Sequence, residues 1–342
     1  MVIKIKFKII YSLIALVLIA GLVLTFFIYN PTHTVAMDSE KGFIKWVDFG
    51  VCYEALDKAL KADIKSVDSE VKLDWIEILA YLAARYGGNF SRYKAKDMDN
   101  LVNKLNSGES IENLTKDMKY YNYFHEAYTA VLGGFVGGFE IEVDDENNPG
   151  QKKWIQKYGL KAFCPVARGY YYNHYDDFGN SRSYGFRRVH LGNDLMGSIG
   201  SPIVAVESGT IEALGWNQFG GWRIGIRSFD QKRYYYYAHL KKDHPYRKDL
   251  KVGDVVYAGD VIGYLGRTGY STKENVNNID TSHLHFGMQL IFDESQKETI
   301  SEIWIDVYNI VRLLSRNKSA VSINSETKDF NRIYNIRFPN MR

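Results

Sequence analysis

Four of the eight histidines fall in three short motifs. These are His190-Leu-Gly-Asn-Asp194, then Tyr237-Ala-His239-Leu240, then His283-Leu-His285-Phe286. Neutral imidazole and carboxylate suit a borderline cation such as zinc, and a catalytic zinc usually takes three protein ligands and a water. Residues two apart on a strand share a face, so His283 and His285 are both expected to face one groove. Two histidines, one aspartate and a water complete a tetrahedron, which leaves two further histidines for proton transfer. Spacing alone does not say which are which. A lone His-x-x-x-Asp or His-x-His is weak evidence. Together, in order and with a third histidine ending a strand between them, they point to a metal site.

The segments that carry these motifs read as strands. SPIVAVE, GTIEALGW, GWRIGIRS, KRYYYYAH, DVIGYLG and SHLHFGMQLIF are short, rich in β-branched or aromatic residues, and bounded by Gly or charged turns. A chain with 29 Gly, 26 Tyr and only six Pro suits such strands and tight turns. The pattern predicts a mainly antiparallel β domain with one face open as a groove. Counting alternation back from His239 puts Tyr235 and Tyr237 on its face, as candidate groove residues. Tyr175, in the polar and aromatic run ARGYYYNHYDDFGNSRSYGF just before His190, is a third.

Upstream, residues 38–140 read as a small helical domain whose role does not follow from sequence. Its clearest helix starts at a capping box, Asp74 and Glu77, and stops at Gly87-Gly88. Others are expected over Phe43 to Leu60, around Asp97 to Leu105, and from Asn113 through KYYNYFHEAYTAVLGGF. The acidic, turn-rich stretch 141–152 reads as a linker. Trp304 to Arg316 reads as a helix, and 317–342 as a loosely held polar tail.

At the N-terminus, Ile9 to Tyr29 carries no charge and is about the 20 residues needed to span a bilayer core. Lys4, Lys6 and Lys8 precede it, and no basic residue follows until Lys41. Residues 1–30 are therefore expected to be a single-pass signal-anchor, with the N-terminus cytoplasmic and the remaining domains extracytoplasmic. A formal net charge of +3, spread along the chain, gives no electrostatic case for nucleic acid. Cys52 and Cys164 lack metal-ligand spacing and read as small buried residues. The expected whole is a multidomain α+β chain: membrane helix, helical domain, and antiparallel β domain.

HLGND, YAHL and HLHF, with GDVIGYLGRTGYS and SPIVAVESGTI between them, resemble the lysostaphin-type zinc metallopeptidases that cut peptide bonds in bacterial peptidoglycan. The likeness runs from about Gly159 to Ile310 and does not reach the helical region. It implies a peptidase domain at 153–316 and one Zn2+ per chain held by His190, Asp194 and His285. It also implies that His239 and His283 handle the water and the transition state, with peptidoglycan peptide as substrate. All five positions are kept. The alternative is a non-catalytic, peptidase-like scaffold or activator of the envelope, and a metallo-phosphoesterase is disfavoured because no second metal cluster is visible.

Overall fold

Period-two alternation governs most of the chain from Val136 onward, and there the strands form as the pattern requires. A computed structural model describes residues 43–183, 187–297 and 299–338. The anchor expected over 1–30 lies outside the described residues, as does His33. Among the described residues no helix is long and apolar enough to cross a membrane. Those residues make one compact unit that begins at Phe43.

Six α-helices are described: α1 Tyr53–Ser66, α2 Trp75–Tyr86, α3 Ala95–Asn106, α4 Ile111–Thr115, α5 Tyr121–Leu132 and α6 Tyr308–Leu314. Helix α2 begins where the capping box placed it, with the Asp74 carboxylate accepting from the Ile76 and Glu77 amides at 2.6 and 3.3 Å. Phe43–Val51 is not helical. Val47, Phe49 and Val51 are buried while Trp46, Asp48 and Gly50 are exposed, the alternation of an extended segment. The Trp46, Val51 and Ile44 carbonyls accept from Tyr123, Asn309 and Gln296, which fixes that segment along the body. The last helix is also shorter than expected, because Ile303 and Ile305 flank Trp304 in a strand before it starts.

The strands are β1 Val136–Asp144, β2 Lys152–Leu160, β3 Tyr172–His174, β4 Ser181–Ser183, β5 Arg187–Val189 and β6 Asn193–Gly197. They continue as β7 Pro202–Val204, β8 Gly209–Asn217, β9 Gly221–Ser228, β10 Arg233–Ala238, β11 Val255–Val256 and β12 Val261–Tyr264. The last five are β13 His283–Leu290, β14 Ile303–Ile305, β15 Val321–Ile323, β16 Phe330–Arg332 and β17 Ile336–Arg337. The main antiparallel sheet has the order β11-β8-β9-β10-β13-β6-β3. Strand β13 is central: β10 pairs along one edge, and β6 and then β14 share the other.

Where a linker was expected at 141–152, β1 runs on to Asp144 and returns as β2 from Lys152, so the acidic turn is a hairpin tip. The polar tail is also held. Strand β17 pairs with β1, and Ile336 is buried with Phe139, Phe163 and Val261. Scattered apolar residues in a polar segment suffice to dock it when a neighbouring edge supplies backbone partners.

Arg233 ties the helical region to the sheet. It is fully buried, pairs Glu207 at 2.8 Å and Asp230 at 2.6 Å, and donates to the Ala130 carbonyl at the end of α5 at 2.6 Å. A last-turn carbonyl has no partner within its helix, so a guanidinium there satisfies it and favours the helix dipole.

Candidate active site

Register builds the site. His285 on β13 lies directly opposite Asp194 on β6, so two sequence motifs 91 residues apart become a cross-strand pair. Asp194 is four residues past His190, which follows β5. The His190 amide donates to the Asn180 carbonyl at 2.9 Å, and its own carbonyl accepts from Gly179 at 2.8 Å. Between them sits Gly192, where a Cβ would come within 2.8 Å of the His285 ring and 2.7 Å of the Phe286 carbonyl. Only glycine allows that approach.

Three ligand-type atoms converge. His190 Nε2 is 2.8 Å from His285 Nδ1 and 3.1 Å from Asp194 Oδ1, and His285 Nδ1 is 3.2 Å from the same oxygen. A tetrahedral zinc site with ligand distances of about 2.1 Å spaces its ligand atoms ~3.4 Å apart, so this cluster is of the right size and slightly contracted. Its protonation pattern also fits a cation. His190 Nδ1 donates to the Asp177 carbonyl at 3.0 Å, so the Nε2 lone pair faces inward. Burial alone would raise the Asp194 pKa, but its close contacts with His190, His285 and His283 pull it well below the usual carboxylate range. Burial lowers that of His285, so the cluster favours a carboxylate at Asp194 and a neutral imidazole at His285. That is a zinc donor set.

His239 and His283 stand beside this cluster, with ring centres 4.7 Å apart. His239 Nδ1 donates to the Thr268 carbonyl at 2.9 Å and His283 Nδ1 to the Thr281 carbonyl at 2.8 Å. Each therefore keeps an Nε2 lone pair, and His283 Nε2 lies 3.7 Å from Asp194 Oδ1. Burial, then the neighbouring imidazoles, hold the His239 pKa well below its ordinary value, so it is neutral and able to accept a proton. All five histidine and aspartate positions singled out from sequence line one small cavity.

The tyrosine assignment is corrected. Tyr235 and Tyr237 are fully buried on the opposite face, where Tyr235 stacks on Phe286 and its hydroxyl donates to Glu207. Tyr234 and Tyr236 face the groove instead, and Tyr236 sits edge-on to His285 with ring centres 5.8 Å apart. The count from His239 fails because β10 ends at Ala238 and His239 takes φ +62°, a left-handed conformation that breaks strand alternation. Register from His285, opposite Ala238, gives the observed faces. Tyr175 is 48 % exposed and outside the groove lining, with its amide bound to the Asp194 carbonyl at 3.1 Å.

Two supporting residues escaped the sequence reading. Arg182 donates to Asp177 at 2.6 Å and to Asp194 Oδ2 at 3.2 Å, which holds the outer oxygen while Oδ1 faces the cluster. Asp177 also accepts from the Asp194 amide at 3.1 Å. Burial and the charge of Asp194 raise the Asp177 pKa. Neither has a spacing signature; their only signal was a polar run just before the first motif. On the other side of the cluster a groove of about 640 Å³ opens across β8, β9, β10 and β13 toward Trp304. Gly225 lets the Tyr234 ring lie across β9, since a Cβ there would fall 2.0 Å from its hydroxyl.

Residues 188–298 match the family model described as Peptidase family M23. An L-Ala–D-Glu endopeptidase of Bacillus subtilis is 39% identical over 131 residues, which is 38% of this chain and 38% of that protein. Lysostaphin of Staphylococcus simulans is 40% identical over 99 residues, 29% of this chain and 17% of that protein. The chain thus covers well under half the length of either relative. Among solved structures, the catalytic domain of lysostaphin from Staphylococcus simulans is 32% identical, covering 41% of this chain and 92% of that one, with a TM-score of 0.32. The match to the Peptidase family M23 model spans His190, Asp194, His239, His283 and His285.

Proposed function

We propose that the chain is a zinc metalloendopeptidase that hydrolyses peptide bonds of bacterial peptidoglycan. One observation carries the reading: three ligand atoms, from His190, Asp194 and His285, lie within 3.2 Å of one another beside two further histidines of fixed tautomer. The relatives support it. One is named for cutting an L-Ala–D-Glu bond and a second is lysostaphin. Residues 153–316 are its peptidase domain. The uncharged run Ile9 to Tyr29 anchors it in the cell membrane, with the peptidase domain on the wall side.

A bound zinc would supply Lewis acidity toward the scissile carbonyl and a water of lowered pKa. The protein's own groups do the rest. His239 and His283 present Nε2 lone pairs, with Nδ1 protons held by backbone carbonyls. One takes the proton of the attacking water; the other, once protonated, stabilises charge on the carbonyl oxygen or gives its proton to the leaving amine. Arg182 keeps Asp194 oriented, and Tyr236 closes one wall against the His285 ring.

The test is digestion of purified peptidoglycan by the full chain, with new amines counted and fragments read by mass. Zinc-dependent release, abolished by a chelator and restored by added zinc, is expected. A zinc-loaded chain that never releases new amines would instead favour a scaffold role.

A further inference from the structure

The groove beside the metal-type cluster holds hydrogen-bond donors with nothing to bind. Six buried side-chain polar atoms lack a hydrogen-bond partner among the described residues, and three of them belong to residues lining this one groove: Arg188 Nε, Arg223 Nε and Gln289 Nε2. All three are donors. Buried donors are almost always paired, so three orphans around one cavity mark a place meant for an acceptor. Gln289 is 3 % exposed, so bulk water does not serve it.

Charge points the same way. The groove's acids are already engaged: Glu212 by Arg227 and Lys297, and Glu302 by the Trp304 indole nitrogen at 2.7 Å. Arg188 and Arg223 enter no ion pair among the described residues. Strand alternation puts Arg223 on the face of Gly225, opposite Tyr236, and puts Gln289 four residues past His285 on the same face. The Arg188 guanidinium lies over the Phe219 and Tyr270 rings, 5.3 and 4.9 Å from their centres, and donates through Nη2 to the Tyr270 hydroxyl, which leaves Nε for a ligand. It also lines the small cavity that contains the five metal and proton-transfer residues, so it stands where the two spaces meet. A guanidinium's planar fork matches a carboxylate, and a primary amide adds one more donor.

We propose that Arg188, Arg223 and Gln289 form a carboxylate-reading subsite, so that the peptide cut here carries a free carboxylate next to the scissile bond. This rests on the peptidase reading above and names its substrate class.

The test uses the zinc-loaded full chain and two wall stem peptides that differ at one group: an acidic residue with its α-carboxylate free, or as a primary amide. Amidation is expected to lower kcat/KM by about 10- to 100-fold, the usual weight of a charged hydrogen-bonding group. In Arg188→Gln and Arg223→Gln that ratio should shrink to within about 3-fold, and Arg223→Lys should restore part of it. A native chain that cuts both forms equally, or variants that keep the full ratio, would overturn the subsite. If neither peptide nor whole peptidoglycan is cut, the peptidase reading fails, and calorimetric binding of the same peptides decides the subsite. Tighter binding of the carboxylate form, by about 10-fold and lost in the variants, supports it; equal binding rejects it.

Discussion

His174 shows how a single side chain couples this fold to pH. Its ring centre lies 4.6 Å from that of Tyr308, and its Nε2 is buried without a partner among the described residues. Burial, then the charge of Arg312, pushes its pKa down to about 4 from 6.5. Between those values the unfolded chain binds a proton and the folded chain does not, so stability rises with pH. The contribution is full above pH ~6.5 and is lost as pH falls toward ~4. At most about 3 kcal/mol is expected, since each pKa unit is worth 1.36 kcal/mol. Denaturant unfolding at stepwise pH should show a shallower acid slope for His174→Phe than for the native chain; equal slopes would remove His174 as the cause. In the sequence His174 is marked by nothing beyond its place in the polar and aromatic run before the first motif. The residues with metal-type spacing were legible because donor chemistry restricts them to few residue types. Asp177 and Arg182 were not, because any polar side chain in a loop is compatible with solvation.

At the scale of elements, register carries the site. A one-residue slip of β13 against β6 would turn His283 and His285 into the core and separate Asp194 from its partner. Strand identity was readable from period-two patterns, yet the tyrosine faces were not, since His239 leaves the strand at φ +62°. The helical region was readable where a cap and an apolar stripe coincide, as in α2. It was not over Phe43–Val51, whose buried alternate residues match an extended chain as well as a helical stripe. The buried Arg233 joins the two regions through Glu207, Asp230 and the end of α5. Arg233→Ala leaves Glu207 buried and the α5 carbonyl unserved, which should cost about 3–5 kcal/mol. Arg233→Met should cost less with Glu207→Leu present than alone, because the pair can be replaced by apolar packing more cheaply than broken. Urea melts of the single and double variants measure both. Additive losses would contradict a coupled pair.

For the molecule as a whole, we propose a membrane anchor at Ile9 to Tyr29 ahead of the hydrolytic domain. If Ile9 to Tyr29 spans the bilayer, the full chain should stay with membranes through alkaline carbonate extraction, and a chain starting at Phe43 should be released. Release of both would reject the anchor. Compactness from Phe43 onward was the least legible property, because it depends on Arg233, on the edge strand β17 and on the extended N-terminal segment. None of these has a local sequence signature. The central claim concerns the division of labour among five residues. Metal content and turnover on peptidoglycan, measured on the same preparations of native, His190→Ala and His283→Ala chains, test it most directly. One zinc per chain in native and His283→Ala, with turnover down at least about 100-fold in the latter, and neither zinc nor turnover in His190→Ala, is the expected result. Equal zinc loss in the two variants, or full zinc in His190→Ala, would contradict the assignment.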